Sequence, residues 1–141
     1  MSSPNSVRIQ RALQQALVNA VLGNERIARE FGLLVTDLQT LHLLVLREDV
    51  RTPKQLSLIS GLPTSTVTRV LDRLESAGYL RRVPDPADRR RINIEVDGAA
   101  TAPVIARYGQ YTEILERANA EFTEAELDIV ARYLERTSAT F

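Results

Sequence analysis

Apolar side chains near the start of the chain fall at Leu13, Leu17, Ala20/Val21, Ala28 and Phe31, a helical spacing. The pattern predicts a helix over 5–31, stopped by Gly32. At roughly 25 residues it is long for a small domain and should pack against more than that domain's own core. Thr36 followed by Gln39 forms a capping-box pattern ahead of the apolar run Leu38–Leu46, which predicts a second helix. Thr52-Pro53, an N-cap residue followed by proline, opens a short third helix that carries Leu56 and Ile59 and stops at Gly61. A fourth helix is expected from Thr64 to Ala77, with Val67, Val70, Leu71 and Leu74 on one face and Gly78 behind it.

The period then changes. Tyr79-Leu80-Arg81-Arg82-Val83 has strand composition, and Ile92-Asn93-Ile94-Glu95-Val96 alternates as a half-buried strand does. Between them, 84–91 is a hairpin tip rich in turn formers that ends in Arg89-Arg90-Arg91. Past Asp97 helical spacing resumes to about Ala120, with Pro103 either near that helix's start or kinking it. Thr123 and Glu126 form another capping box, and Leu127, Val130, Ala131 and Leu134 extend a last apolar face to about Arg136. The expected fold is mostly α with a small β-hairpin wing.

Composition removes several functions. The 141 residues suit a single domain, 1–141, that buries a core without staples. The absence of cysteine excludes disulfides, thiol catalysis and Cys-ligated zinc, and a lone histidine argues against a His-rich metal site. No cofactor or metal is expected. Residues 1–6 are polar and no run of 18 apolar residues exists, so a cytoplasmic protein with no membrane partner is expected. There is no Gly-rich phosphate loop and no defensible Ser/His/Asp arrangement, so an enzyme is not expected.

A net charge of zero argues at first against a polyanionic partner. Divided along the chain, it does not: 1–50 is neutral, 51–91 carries +5 and 92–141 carries −5. Arginine supplies 17 of the 18 basic residues, and its planar fork suits phosphates and guanine edges. A short helix, a turn at Gly61 and a second amphipathic helix form a helix-turn-helix pattern. Opposite its apolar face the second helix offers Ser65, Thr66, Thr68, Arg69 and Arg73, while the hairpin tip offers Arg89, Arg90 and Arg91 to a minor groove. Taken singly, each piece is equally a solvated polar face. Their order within the one basic segment points to a winged helix-turn-helix over 36–96 that binds double-stranded DNA.

The string Thr66-Val67-Thr68-Arg69-Val70-Leu71-Asp72-Arg73-Leu74-Glu75-Ser76-Ala77-Gly78, then Tyr79-Leu80-Arg81-Arg82, then Asp85-Pro86-Ala87-Asp88-Arg89-Arg90, resembles the recognition helix and wing of the MarR family of transcriptional regulators. The resemblance implies a homodimer joined by its terminal helices, here 5–31 and 98–137. It also implies a palindromic operator, usually repressed, and release by a small phenolic or anionic effector. It places Ser65, Thr66, Thr68 and Arg69 on the recognition helix and matches Arg90 to the arginine that enters the minor groove. Asp88 then braces the arginines, and Asp72 suits a partnership with a neighbouring arginine, since phosphate repels a carboxylate. The family's effector pocket suggests His42, Tyr108 and Tyr111 as lining residues, although each is equally an ordinary packed side chain. Pro63 stands where a capping serine is common, Asp97 where threonine is usual, and Ala100 where glycine is frequent. A protein-interaction winged helix is the competing class, but it would favour exposed apolar anchors over hydroxyls and arginines.

Overall fold

The structure, a computed structural model, describes residues 3–139. Its elements run α1 (Pro4–Glu30), α2 (Val35–Leu46), α3 (Pro53–Ser60), α4 (Thr64–Ser76), β1 (Leu80–Pro84), β2 (Ile92–Val96), α5 (Gly98–Ala106), α6 (Gly109–Asn119) and α7 (Glu124–Ser138). The chain divides into two compact units, one running to Ile105 and the other starting at Ala106.

In the first unit, α1 ends in a Schellman turn. Gly32 adopts φ 66°, its N–H donates to the Arg29 carbonyl, and the Leu33 N–H donates to the Ala28 carbonyl. That turn delivers Leu33 to the core and leaves only Leu34 before α2. The helix therefore begins at Val35, and the expected Thr36 cap does not form: Leu34 is the N-cap residue, with no side-chain hydrogen bond. Thr52 and Gln55 do make a reciprocal capping box on α3, with Pro53 in its first turn. The main core joins α2, α3, α4 and the hairpin through Leu41, Leu44, Val50, Leu56, Val67, Val70, Leu71, Leu74, Leu80 and Ile94.

A two-stranded hairpin is marginal by itself. This one is lengthened by a further ladder bond and tied to the chain ahead of α3. β1 and β2 pair antiparallel with Leu80 opposite Val96 and Arg82 opposite Ile94. The Ile94 N–H donates to the Arg51 carbonyl at 2.6 Å, and the Asp97 N–H donates to the Tyr79 carbonyl at 2.9 Å.

The helix expected from Asp97 to Ala120 is two helices. Asp97 caps the first, its Oδ1 accepting from the Ala100 N–H at 3.0 Å. Pro103 lies inside α5, where it has no N–H to donate to the Ala99 carbonyl. α5 ends three residues later at Ala106, and α6 opens at Gly109, a poor interior helix residue. In the second unit α7 starts on the expected capping box, with the Thr123 N–H on Glu126 at 2.8 Å and the Glu126 N–H on Thr123 at 3.3 Å.

Candidate nucleic-acid interface

The helix-turn-helix is built by α3 and α4. Gly61 caps α3 in the left-handed region (φ 71°), which turns the chain through Leu62 and Pro63 into α4. Val67, Val70, Leu71 and Leu74 are buried, so Ser65, Thr68 and Arg69 face outward and Thr66 lies half-buried. Pro63 is the N-cap residue and offers no side-chain hydrogen bond, so the cap on the first turn that a serine would supply is missing. The Thr68 hydroxyl donates back to the Thr64 carbonyl at 3.0 Å, which leaves its oxygen as an acceptor.

Arg73 is held differently from Arg69. Its Nε and Nη2 donate to Asp37 Oδ2 and Oδ1 at 2.9 and 2.8 Å, a bidentate pair between α4 and the first turn of α2. The Asp37 side chain is 3% exposed and that of Arg73 is 43% exposed. The hydrogen bond to Asp37 raises the Arg73 pKa, holding the guanidinium charged. Arg82 ties β1 to the outer face of α4. Its Nη2 contacts Asp72 at 2.6 Å and its Nε contacts Glu75 at 3.1 Å, while its backbone N–H donates to Glu75 at 2.9 Å. These bonds hold the Glu75 carboxyl below its ordinary pKa, the backbone N–H contributing most. Asp72 is thus an arginine's partner, as its place in the sequence suggests.

The wing tip is organised by carboxylates that accept backbone N–H groups. Asp85 takes the Ala87 N–H at 2.8 Å and Asp88 takes the Arg90 N–H at 3.0 Å, while Asn93 donates to Asp85 at 3.3 Å. The Asp85 N–H donates to the Arg91 carbonyl and the Arg91 N–H to the Asp88 carbonyl, which closes the tip. Asp88 therefore fixes the arginine-bearing backbone and leaves the guanidinium groups alone. Arg89, Arg90 and Arg91 are exposed, and none of the three, nor Arg69, makes a salt bridge among the described residues.

Of the remaining sequence candidates, His42 sits half-buried on α2, where desolvation lowers its pKa. Tyr108 and Tyr111 belong to the second unit and form a tilted ring pair with centroids 6.1 Å apart. Burial, with Tyr111 adding to it, raises the Tyr108 pKa. Sequence reasoning missed Asp37 and gave Arg82 no role. Asp37 carried a readable signal: with Leu41 and Leu44 it follows the i, i+4, i+7 stripe that α2 buries, and an acid on such a stripe requires a partner.

A model of the MarR family matches residues 31–91, which contain the helix-turn-helix and most of the wing. The helix-turn-helix transcriptional regulator YcgE of Bacillus subtilis is 33% identical over 114 residues, covering 81% of this chain and 73% of that protein. The chain belongs to the MarR family. It is a winged helix-turn-helix transcriptional regulator, and PecS of Dickeya dadantii, another such regulator, is 32% identical over 134 residues that make up 92% of this chain and 66% of PecS. Among solved structures, a MepR variant from Staphylococcus aureus shares the fold with a TM-score of 0.76 at 18% identity, covering 99% of both chains. MepR in complex with DNA matches with a TM-score of 0.63 at 18% identity, over 93% of this chain and 98% of that one. Within the MarR fold α3 and α4 form the helix-turn-helix and the β1–β2 hairpin is the wing. No described helix is long and apolar enough to cross a membrane.

Proposed function

We propose that this MarR-family regulator binds a palindromic duplex DNA operator as a homodimer and represses from it. One observation carries the reading: among the described residues, Arg69 on the recognition helix and Arg89, Arg90 and Arg91 on the wing make no salt bridge, while the four acids of 51–91 are engaged by Arg82 or by wing N–H groups. Ser65, Thr66, Thr68 and Arg69 meet base edges and phosphates in the major groove. Arg73 presents its three uncommitted N–H donors beside them. Arg90, flanked by Arg89 and Arg91 and set by Asp88, enters the minor groove. A DNA complex among MepR structures of this fold supports duplex DNA as the partner.

A second copy covers the apolar residues that α1, α6 and α7 leave in solvent, including Leu17, Val21, Leu22, Ile114, Ile129 and Leu134. Two-fold symmetry then sets the recognition helices about one DNA turn, about 10 bp, apart. The protein works in the cytoplasm by binding and not by catalysis. A small phenolic or anionic effector lowers its affinity for DNA.

Fluorescence anisotropy against the duplex flanking the protein's own gene, across a salt series, tests the core of this reading. Affinity should fall linearly in log–log coordinates as counterions are released, and Arg69→Ala should weaken it. Affinity that is independent of salt, or no preference for any duplex over a random one, overturns it.

A further inference from the structure

The Asp37–Arg73 pair is unlike every other ion pair described in the winged unit. Arg47–Asp49, Arg81–Glu95 and the Arg82 contacts all use carboxylates that are themselves 38–66% exposed. Asp37 lies buried at 3% exposure, behind the recognition helix, and grips with both oxygens an arginine whose outer edge remains in solvent. Arg73 is one helical turn from Arg69, so the two share the outward face of α4. Arg73 does not itself need the pair, because its guanidinium reaches water without Asp37; it is the buried Asp37 carboxylate that needs a partner.

We propose that Asp37 is a positioning and attenuating residue for DNA binding: it fixes the Arg73 fork against α4 and cancels that arginine's charge on the DNA-facing surface. The inference rests on the DNA-binding reading above and adds a regulator of its strength. Non-specific binding to duplex scales with the number of unpaired cations set against phosphate, whereas specific binding adds base contacts. An arginine neutralised from behind keeps its directional N–H donors for one geometry and contributes little to sliding on arbitrary sequence. Asp37 thereby widens the gap between operator and bulk DNA.

The test compares the full-length parent, Asp37→Asn, Asp37→Ser and the double variant Asp37→Asn/Arg73→Gln, on operator and on random duplex from 50 to 200 mM salt. Circular dichroism confirms folding, and the serine variant carries the test should the asparagine variant fail to fold. Neutralising Asp37 should steepen the slope of log K against log salt by about 0.9 per protomer, roughly a further threefold change across that range for each protomer. Affinity for random duplex should rise and the operator-to-random ratio should fall. The double variant should lose the added slope.

A purely structural role for Asp37 predicts weaker binding with the parental slope. That result, or a shallower slope in a folded variant, overturns the proposal. Salt-independent binding by the parent would instead remove the DNA-binding reading on which it stands.

Discussion

Arg90→Ala separates the wing's charge from its shape. The tip is closed by backbone groups: the Arg90 N–H on Asp88 at 3.0 Å, the Arg91 N–H on the Asp88 carbonyl at 3.0 Å, and the Asp85 N–H on the Arg91 carbonyl at 2.9 Å. Alanine keeps all three, so the variant loses a guanidinium and no loop contact. An arginine seated in a groove contributes about 1–3 kcal/mol, so a dimer with two half-sites loses about 4 kcal/mol at mid-range, roughly a thousandfold in affinity. The salt slope should fall by about 0.9 per protomer. Arg81→Ala/Glu95→Ala on the same hairpin is the control, since the two side chains are paired at 2.9 Å and removing both leaves the net charge unchanged. Asp88→Ala is the counterpart: it unpins the Arg90 backbone without removing a cation, so affinity should fall while the slope does not. Anisotropy titrations over a salt series read all three. Arg90→Ala within twofold of the parent with the same slope would refute the reasoning for the wing.

Leu74, fully buried between α4 and the rest of the winged core, should cost about 3 kcal/mol when replaced by alanine, a fall of about 10 °C in melting temperature by circular dichroism; a change under 2 °C would mean that this core is not what holds the unit. Burial lowers the His42 pKa, so the unfolded chain binds protons more readily than the folded one below the ordinary value of 6.5, and stability should decline as pH falls through that point. Glu75, Asp85 and Asp49 are all depressed, Asp49 to about 2 by its hydrogen bond from Arg47, so their contribution is complete above about pH 4.5 and is lost below it. Melting temperatures should therefore be level above pH 6.5 and fall in two stages beneath it, with His42→Gln removing the first; stability that rises between pH 7 and 5 would contradict this. Light scattering at micromolar concentration should give twice the mass of one chain, and Leu17→Glu with Leu22→Glu, both in the exposed apolar stretch of α1, should give a single-chain mass; a monomeric parent would remove the dimer.

Most of the winged unit was legible because its signals are local. The N-cap and proline at Thr52-Pro53, the glycine stops at 61 and 78, and the Val67–Leu74 stripe each specify their own stretch of chain with no distant partner. Two features were not legible for the opposite reason. α2 begins at Val35 directly behind the Gly32 turn that delivers Leu33 to the core, and Asp37 finds its partner Arg73 36 residues away; the local Thr36 pattern carries no sign of either. The break at Arg107-Tyr108 combines a proline, a glycine and the boundary between the two compact units; the proline and the glycine stand in the sequence, the boundary does not. The wing's chemistry was half legible. Asp88 was identified as a brace, but its hold on the Arg90 N–H, not on a guanidinium, depends on a turn geometry that composition alone does not specify.

The charge pattern gains its meaning from that difference between side-chain and backbone partners. A segment of +5 with four acids would be a weak polyanion surface if each acid sat beside an arginine at the tip. Instead Asp85 and Asp88 spend their charge on backbone N–H groups, Asp72 and Glu75 on the one arginine that joins strand to helix, and Asp37 on Arg73 from behind. The acids set shape, and the arginines at 69 and 89–91 keep their field. Substitutions should therefore act asymmetrically: loss of an unpaired arginine lowers affinity and salt slope together, whereas loss of an acid disturbs placement, and at Asp37 also releases a cation toward the duplex.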